Sequence, residues 1–227
     1  MTKEEYMLAS LTKSKKTFDH LVWPFIETAR DYVERTYTSK PISPVRKDLL
    51  AIWLMRSQTY VKKAGITMEF GSGYSTIVFA YAALQQAEYH VAIEHSFLWR
   101  QVTKDMTRVS LSNKQSHTIL PSEVKIYPFR GIPYWNYVDK PFLNPYFIYV
   151  DGPPLNEKSE ICMDALDYQS AECIMVDGRA ATVEYFKEFF YNFEIAPEIN
   201  IFVAQSDVGD AYLNLAKTIR DKRFLED

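Results

Sequence analysis

Residues 66–84 read ITMEFGSGYSTIVFAYAAL, a short apolar run, a glycine pair and a longer apolar run. The first run has the length of a strand, and the second is long enough to begin a helix. Gly71 and Gly73 would let the backbone turn tightly at this junction and lie close to a ligand. Since the N–H groups at a helix start can bind polar or anionic groups, the junction is either a binding loop or a plain turn.

The rest of the chain alternates between strand-like and helix-like segments. The predicted strands are Ile66–Phe70, His90–Glu94, Val124–Tyr127, Tyr146–Asp151 and Glu172–Asp177. The predicted helices that connect or follow them are Thr76–Gln86, Ser96–Ser110, Glu157–Gln169 and Thr182–Phe190. Several strands are apolar throughout, which is typical of strands buried on both faces of a parallel sheet. Strands joined by helical crossovers of this length predict an α/β fold with a mostly parallel sheet.

Further elements are predicted on both sides of this alternating region. Residues 18–39 and 44–63 both have helical patterns. Toward the end, the sequence predicts the strands Phe193–Ala196 and Ile199–Ala204 and the helix Asp210–Lys222. A chain of 227 residues has the length of one domain. We expect a helical extension over residues 1–65, packed on a compact core that residues 66–227 form.

Composition and charge exclude several classes of protein. The net charge of −3 gives no overall attraction to nucleic acid or to an anionic membrane. Cys162 and Cys173 lack the spacing of a zinc site or a disulfide framework. The N-terminus is polar and has no signal-peptide pattern, and no apolar run approaches the roughly 18 residues of a membrane span. These features predict a soluble cytoplasmic protein.

Two observations limit which ligand the junction at Gly71 can bind. A dinucleotide fingerprint, GxGxxG, would place its third glycine where this chain has Thr76. Glu94 ends the second predicted strand, 23 positions after Gly71. An acid at about 20 residues can accept hydrogen bonds from ribose hydroxyls. The segment Glu69-Phe70-Gly71-Ser72-Gly73 has the pattern E-x-G-x-G, and it resembles motif I of the class I S-adenosylmethionine (SAM)-dependent methyltransferases.

The resemblance covers roughly residues 66–204 and implies a fold, a cofactor and a reaction. The implied fold is a three-layer α/β/α, Rossmann-like fold with a mostly parallel seven-stranded sheet, whose last strand is antiparallel, and an N-terminal helical cap. The implied activity is transfer of a methyl group from SAM to an oxygen or nitrogen of a small-molecule or sugar-like acceptor. The residues that the resemblance assigns to the cofactor are Glu69, Gly71, Ser72, Gly73, Ser75, Thr76, Glu94 and His95.

Three other interpretations stay open on the sequence alone. The glycine pair by itself fits a plain turn between a strand and a helix. A nicotinamide-dependent oxidoreductase is disfavoured, since Thr76 replaces the third glycine. A protein that binds SAM or a nucleotide without catalysis also fits, because the cofactor motif is clearer than any catalytic motif.

Two further predicted strands end in Val-Asp-Gly, which places Asp151 and Asp177 at strand ends. By resemblance to the family, Asp151 faces the methyl group and the acceptor and is the candidate base. Two strand-end carboxylates suit a divalent cation such as Mg²⁺, as in catechol-type O-methyltransferases. There, however, an asparagine follows the second acid, and here Gly178 does. Arg179 could instead bind an anionic acceptor or pair with one of the acids.

Two stretches between the third and fourth predicted strands carry less information. In the family, residues after the third strand contact adenine, but Tyr127–Ile132 has no matching acidic motif. The aromatic stretch Ile132–Tyr137 could line an acceptor pocket or pack beneath a loop. The sequence therefore identifies neither the adenine contacts nor the acceptor, and it leaves the oligomeric state open.

Overall fold

The computed structural model of the chain describes several ranges of residues, separated by short gaps. These ranges are 3–38, 46–59, 65–86, 88–112, 115–129, 132–152, 161–168, 170–171, 173–177, 179–186, 192–196 and 201–205. The predicted helix at residues 210–222 lies outside them, as do parts of the predicted helices at 44–63 and 157–169.

Helices form the N-terminal part of the molecule. They are α1 (Lys3–Thr17), a π-helical turn (Phe18–Val22), α2 (Trp23–Thr36) and α3 (Arg46–Thr59). Apolar side chains at intervals of three or four residues form the buried stripe of this part, at Phe18, Val22, Ile26, Ala29 and Val33. No helix in the described ranges is long and apolar enough to span a membrane.

The described part of the chain contains nine strands. They are β1 (Ile66–Phe70), β2 (Tyr89–Glu94), β3 (His117–Pro121), β4 (Val124–Phe129), β5 (Ile132–Tyr137), β6 (Pro145–Val150), β7 (Cys173–Asp177), β8 (Asn192–Ala196) and β9 (Ile201–Gln205). Seven form one sheet in the order β3-β2-β1-β6-β7-β9-β8, while β4 and β5 pair as a separate antiparallel hairpin. Strands β3, β2, β1, β6 and β7 are parallel, and β9 is antiparallel to both of its neighbours. The prediction of an α/β fold with a mostly parallel central sheet is confirmed.

Two helices cover one face of the sheet. The first follows β1 and the second follows β2. Helix α4 spans Tyr74–Gln86 and helix α5 spans Phe97–Leu111. The Phe79 ring of α4 is fully buried and stacks on the His90 ring of β2, with the ring centroids 4.9 Å apart. Helix α5 begins after Ser96, whose side chain caps it by accepting a hydrogen bond from a backbone N–H of the first turn.

The N-terminal helices pack on the outer surface of α4 and α5. Ser110 Oγ of α5 donates to the Phe25 carbonyl of α2 at 2.9 Å. The Tyr37 hydroxyl, just beyond α2, donates to the Asp105 carboxylate of α5 at 2.5 Å. These polar contacts join the N-terminal helices to the sheet-covering helices alongside a continuous apolar cluster.

The opposite face of the sheet differs from the helical layer that a three-layer α/β/α fold implies. In the described residues it is covered by the β4–β5 hairpin, by residues 161–168 and by the short helix α6 (Ala180–Phe186). The predicted helix at 157–169 is wrong over residues 161–168, where only Asp164–Asp167 forms a 3₁₀ turn. Contact with the hairpin explains the difference, because the Trp135 N–H donates to the Ile161 carbonyl at 2.8 Å and holds that segment extended.

The third strand of the sheet is also not the segment that the sequence predicts. The predicted strand at Val124–Tyr127 belongs to the hairpin, and β3 is His117–Pro121 instead. β3 is an edge strand with a single fully buried residue, Ile119. An edge strand of this kind carries little apolar signal, so the more apolar hairpin strand was the stronger candidate.

Candidate functional site

Four adjacent strands end at the edge of the sheet where the sequence predicts a site. Strands β2, β1, β6 and β7 are neighbours and parallel, so their carboxyl ends lie side by side. Glu94 ends β2, Gly71 follows β1, Asp151 follows β6 and Asp177 ends β7. Ligands of open α/β sheets bind at this edge, and the structure brings these four predicted residues to it.

Gly71 and Gly152 form a tight seam between the loops that follow β1 and β6. Gly71 has a φ of +95°, which favours glycine, and its N–H donates to the Ile93 carbonyl at 2.9 Å. A Cβ added at Gly71 would lie 2.8 Å from the Gly152 nitrogen. A Cβ added at Gly152 would lie 2.5 Å from the Gly71 nitrogen and would overlap the Tyr137 hydroxyl. Both glycines are therefore required by close packing of protein against protein.

Gly73 differs from the other two glycines of this edge. A Cβ added at Gly73 would have no atom within 4 Å, so its missing side chain faces open space. The backbone N–H of Gly73 is held by Thr76 Oγ1 at 3.0 Å, which fixes the loop in the manner of a helix cap. The loop therefore presents bare backbone to a space at the carboxyl end of β1.

Glu69 is a buried carboxylate that organises the start of α4. Ser75 Oγ donates to one of its oxygens at 3.0 Å, and Thr76 Oγ1 donates to the other. His90 Nε2 lies 3.4 Å from the second oxygen, and Glu69 is only 1% exposed. The structure thus brings together three predicted cofactor residues, but it directs their side chains at each other. Their role in cofactor binding stays a prediction.

Replacing Glu69 by glutamine is expected to destabilise the fold by about 1–3 kcal/mol, because one hydroxyl donor of the buried cluster would lose its acceptor. Urea unfolding of the Glu69→Gln variant would measure the loss. Glu123→Gln is the matched control, since Glu123 is exposed. Equal stability of the two variants would contradict the role assigned to Glu69.

Glu94 connects the second strand to the glycine loop. Ser72 Oγ of the loop donates to Glu94 Oε2 at 3.0 Å, and the Ser96 N–H donates to Oε1 at 2.8 Å. The Ser72 hydroxyl also lies 3.1 Å from Thr103 Oγ1 of α5, and His95 Nδ1 lies 3.1 Å from Glu94 Oε1. Glu94 is 4% exposed and carries two oxygens in fixed positions. The structure therefore places the glycine loop and Glu94 in direct contact, and the role of Glu94 in cofactor binding stays a prediction.

The corrected position of β3 changes which residues follow the third strand. Pro121 ends β3, and the next residue, Ser122, donates its N–H to the Glu94 carbonyl at 3.3 Å. The sequence prediction placed this region at residues 127–132, which are in or next to the hairpin. Residues near Ser122, and not residues 127–132, therefore lie at the carboxyl end of the third strand of the sheet.

Asp151 and Asp177 are neighbours but have different surroundings. The Tyr149 hydroxyl donates to Asp177 Oδ2 at 2.6 Å. Burial raises the pKa of Asp177, and the hydrogen bond from Tyr149 offsets part of the rise. Burial, followed by the nearby charge of Asp177, raises the pKa of Asp151 to about 8. Half of the Asp151 side-chain surface is exposed, so water screens part of this effect without changing its direction.

Arg179 is the cation of this acidic cluster. Its Nη2 donates to the Asp151 carbonyl and lies 3.9 Å from Asp151 Oδ1. The described donor set does not fit the predicted divalent cation, because Tyr149 occupies one Asp177 oxygen and Arg179 already places positive charge beside Asp151. In the described part of the chain, no group of three or more His, Cys, Asp or Glu residues could hold a metal ion.

Tyr137 is a residue of this edge to which the sequence analysis assigned no individual role. It ends β5, is fully buried and extends its hydroxyl to the Gly71–Gly152 seam. Burial raises its pKa well above the ordinary value, the neighbouring Cys162 and Glu94 raise it further, and the Arg179 cation lowers it. Its backbone N–H donates to the buried Asp164 carboxylate at 3.1 Å. The aromatic stretch in the sequence marks the hairpin but does not indicate which aromatic residue reaches the site.

Comparison with known proteins gives structural similarity without sequence similarity. No protein-family model and no curated protein sequence matches the chain. The chain is similar to the structure of human methyltransferase 10 domain containing protein, at 14% identity and a TM-score of 0.49, over 80% of this chain and 97% of that one.

Two further solved structures are similar at the same level. The N-terminal domain of human METTL16 in complex with SAH matches at 13% identity and a TM-score of 0.48, over 81% of this chain and 83% of that one. An O-methyltransferase from Bacillus cereus in complex with SAH matches at 13% identity and a TM-score of 0.48, over 88% of this chain and all of that one. Because all three TM-scores are below 0.5, the fold assignment rests on the strand order and the site on its side chains.

Proposed function

We propose that this protein is a SAM-dependent methyltransferase that acts on an oxygen or nitrogen of a small-molecule or sugar-like acceptor. The observation that carries the proposal is the contact between the glycine loop and Glu94, through Ser72 Oγ at 3.0 Å. This contact brings together the two parts of the sequence resemblance, the glycine loop and Glu94, at the carboxyl ends of β1 and β2. The described sheet is mostly parallel with β9 as an antiparallel member, which supports the fold that the resemblance implies.

The residues at the ends of β1 and β2 fit the cofactor by shape and by chemistry. The open space at Gly73 admits a ligand against the loop backbone, and the loop offers N–H groups at the start of α4. The Glu94 carboxylate would accept hydrogen bonds from ribose hydroxyls, with Ser72 and the Ser96 N–H holding it in place. Bound SAM would supply an electrophilic methyl group for direct transfer to a nucleophile.

Thr76 supports a SAM site over a nicotinamide dinucleotide site. Its hydroxyl donates to Glu69 and accepts from the Gly73 N–H, so its side chain is part of the loop. In a dinucleotide site, a glycine at this position allows the helix to pack close to the strand. A glycine at position 76 would lose both hydrogen bonds of the Thr76 hydroxyl, so the loop of this chain is held in a way that a dinucleotide loop is not.

Asp151 is the proposed general base. It lies next to the glycine loop, and its N–H donates to the Phe70 carbonyl at 2.9 Å, which fixes the backbone at the end of β6. A raised pKa of about 8 makes its carboxylate a stronger base than an ordinary aspartate. It would accept the proton of an acceptor hydroxyl during methyl transfer, or the proton of an acceptor ammonium group before transfer, while the cofactor would give up its methyl group and leave as SAH. Alignment of donor and acceptor in the site would supply much of the remaining rate.

Replacing Glu94 by glutamine is expected to weaken SAM binding about tenfold or more, because hydrogen bonds to a charged acceptor contribute about 1.5–3 kcal/mol. Calorimetric titration of SAM into the wild type and the Glu94→Gln variant would measure the change. Glu27→Gln, which alters an exposed acid of α2, serves as the control. Unchanged SAM affinity in Glu94→Gln would remove Glu94 from the cofactor site.

A further inference from the structure

The end of β7 holds a buried cation whose hydrogen bonds are largely unused. Arg179 is only 4% exposed, and its Nη2 donates to the Asp151 carbonyl. In the part of the chain that the structure describes, its Nε and Nη1 have no hydrogen-bond partner. Leaving buried donors of a charged group unpaired is unfavourable, and native proteins generally supply a partner. The free donors of Arg179 therefore point to a group that arrives with a ligand.

A second buried donor lies at the Gly71–Gly152 seam. The Tyr137 side chain is fully buried, and its hydroxyl lacks a hydrogen-bond partner among the described residues. The hydroxyl occupies the place where a side chain at position 152 would be, so Gly152 is what allows it to reach this edge. Arg179 is close enough to lower the pKa of Tyr137. Two unpaired groups, one cationic and one neutral, thus flank the Asp151–Gly152 turn.

The neighbouring acids leave this positive charge incompletely neutralised. Asp177 Oδ2 is occupied by the Tyr149 hydroxyl at 2.6 Å. Asp151 Oδ1 lies 3.9 Å from Arg179 Nη2, which is too far for a hydrogen bond. Within the described ranges, the Asp177 oxygen and the Asp151 carboxyl therefore leave Nε and Nη1 of Arg179 without an acceptor. A buried cation with free donors is suited to a carboxylate or phosphate.

We propose that Arg179 and Tyr137 form a subsite for a carboxylate or phosphate group of the methyl acceptor. This inference rests on the proposed methyltransferase function and narrows its acceptor to anionic molecules. The position of Arg179 favours the acceptor over the cofactor as the source of the anion. Arg179 follows β7, which β6 separates from β1, so the end of this strand lies roughly 10 Å from the glycine loop, at about 4.8 Å per strand.

The experiment measures binding of small anions and their neutral analogues to the protein saturated with S-adenosylhomocysteine (SAH). Benzoate and phenyl phosphate are the anionic probes, and benzamide is the neutral analogue of benzoate. Ligand-observed NMR titrations near neutral pH would give the affinities for the wild type, Arg179→Gln, Tyr137→Phe and the control Arg108→Gln. Arg108 is an exposed arginine of α5 whose contact is to Asp105.

The proposal predicts that the wild-type complex binds benzoate or phenyl phosphate about tenfold or more tightly than benzamide, as for a charge-assisted hydrogen bond. Arg179→Gln should abolish this preference and Tyr137→Phe should reduce it, while Arg108→Gln keeps it and SAH affinity changes little. The comparison of benzoate with benzamide needs no variant, and Tyr137→Phe removes a single hydroxyl, so the test holds even if Arg179→Gln does not fold.

Two results would overturn the proposal. They are equal affinity of the wild type for benzoate and benzamide, and an anion preference that survives Arg179→Gln. If the surviving preference is accompanied by a loss of SAH affinity, Arg179 is instead assigned to the carboxylate of the cofactor. Failure of SAH to bind the wild type would instead contradict the proposed function, and the benzoate and benzamide titrations of the free protein would still test the anion site.

Discussion

The Gly73→Ala variant is expected to fold normally and to bind SAM about tenfold to a hundredfold more weakly than the wild type. The added Cβ meets no protein atom within 4 Å, so the folded protein has room for it. In a complex, the same methyl group would lie in the space that the proposal gives to the cofactor. Overpacking of a tight interface costs about 1–3 kcal/mol, which corresponds to the expected loss of affinity. Calorimetric titration and thermal unfolding would measure the two effects separately.

The other glycines of this edge provide the matched comparison. In Gly71→Ala and Gly152→Ala, the new Cβ would lie within 3.0 Å of backbone atoms of the facing loop, and Gly71 also has a positive φ. We expect both variants to lose about 3 kcal/mol or more of stability, at the upper end of overpacking effects. A Gly73→Ala variant with wild-type SAM affinity would show that the open space is not the cofactor site. Equal destabilisation by all three substitutions would contradict the described loop geometry.

The Asp151→Asn variant is expected to lower kcat by about a hundredfold to ten-thousandfold, the range of general acid–base contributions. SAM affinity should change little, since the proposal assigns the cofactor to the glycine loop and Glu94 and assigns Asp151 to the acceptor. The wild-type rate should rise with pH through about 8, where the Asp151 carboxylate forms. The measurement uses radiolabelled SAM and a set of phenol, amine and sugar acceptors that carry a carboxylate or phosphate. Rates that are unchanged in Asp151→Asn would remove it as the base, and SAM binding without turnover of any acceptor would favour a non-catalytic binding protein.

The same substitution should also change how stability depends on pH. The pKa of Asp151 is raised from 3.8 to about 8 in the folded state, so between these values the native protein binds more protons than the unfolded chain. Its contribution to stability is therefore fully present below 3.8 and is lost as the pH rises through about 8. As the pH rises, the unfolding temperature of Asp151→Asn should increase relative to that of the wild type. A difference that is constant over this range would contradict the raised pKa.

The parts of the site that the sequence predicts are those set by local chemistry and by spacing along the chain. Gly71 is required by a positive φ, and Glu94 ends a buried strand that pairs directly with β1. Both residues can be predicted from a single sequence because each lies at the end of an apolar strand that the sequence itself indicates. Asp151 and Asp177 were predicted for the same reason, since each follows a strongly apolar strand.

The parts that the sequence did not predict depend on contacts between distant segments. The edge strand β3 has too few buried residues to stand out from the hairpin that follows it. Tyr137 reaches the site only because Asp164, 27 residues later, holds its backbone N–H and Gly152 leaves space for its hydroxyl. The hydrogen bond that Ser75 Oγ donates to Glu69 likewise depends on how the start of α4 is placed against the end of β1, which no motif specifies.

The central claim is that the glycine loop and Glu94 bind SAM. Isothermal titration calorimetry of the purified protein with SAM and, separately, with NAD⁺ tests it most directly. The structure-based proposal predicts saturable heat and thermal stabilisation with SAM and neither effect with NAD⁺. Absence of heat and of stabilisation with SAM well above micromolar concentration would contradict the claim, and saturable binding of NAD⁺ alone would replace the methyltransferase by an oxidoreductase.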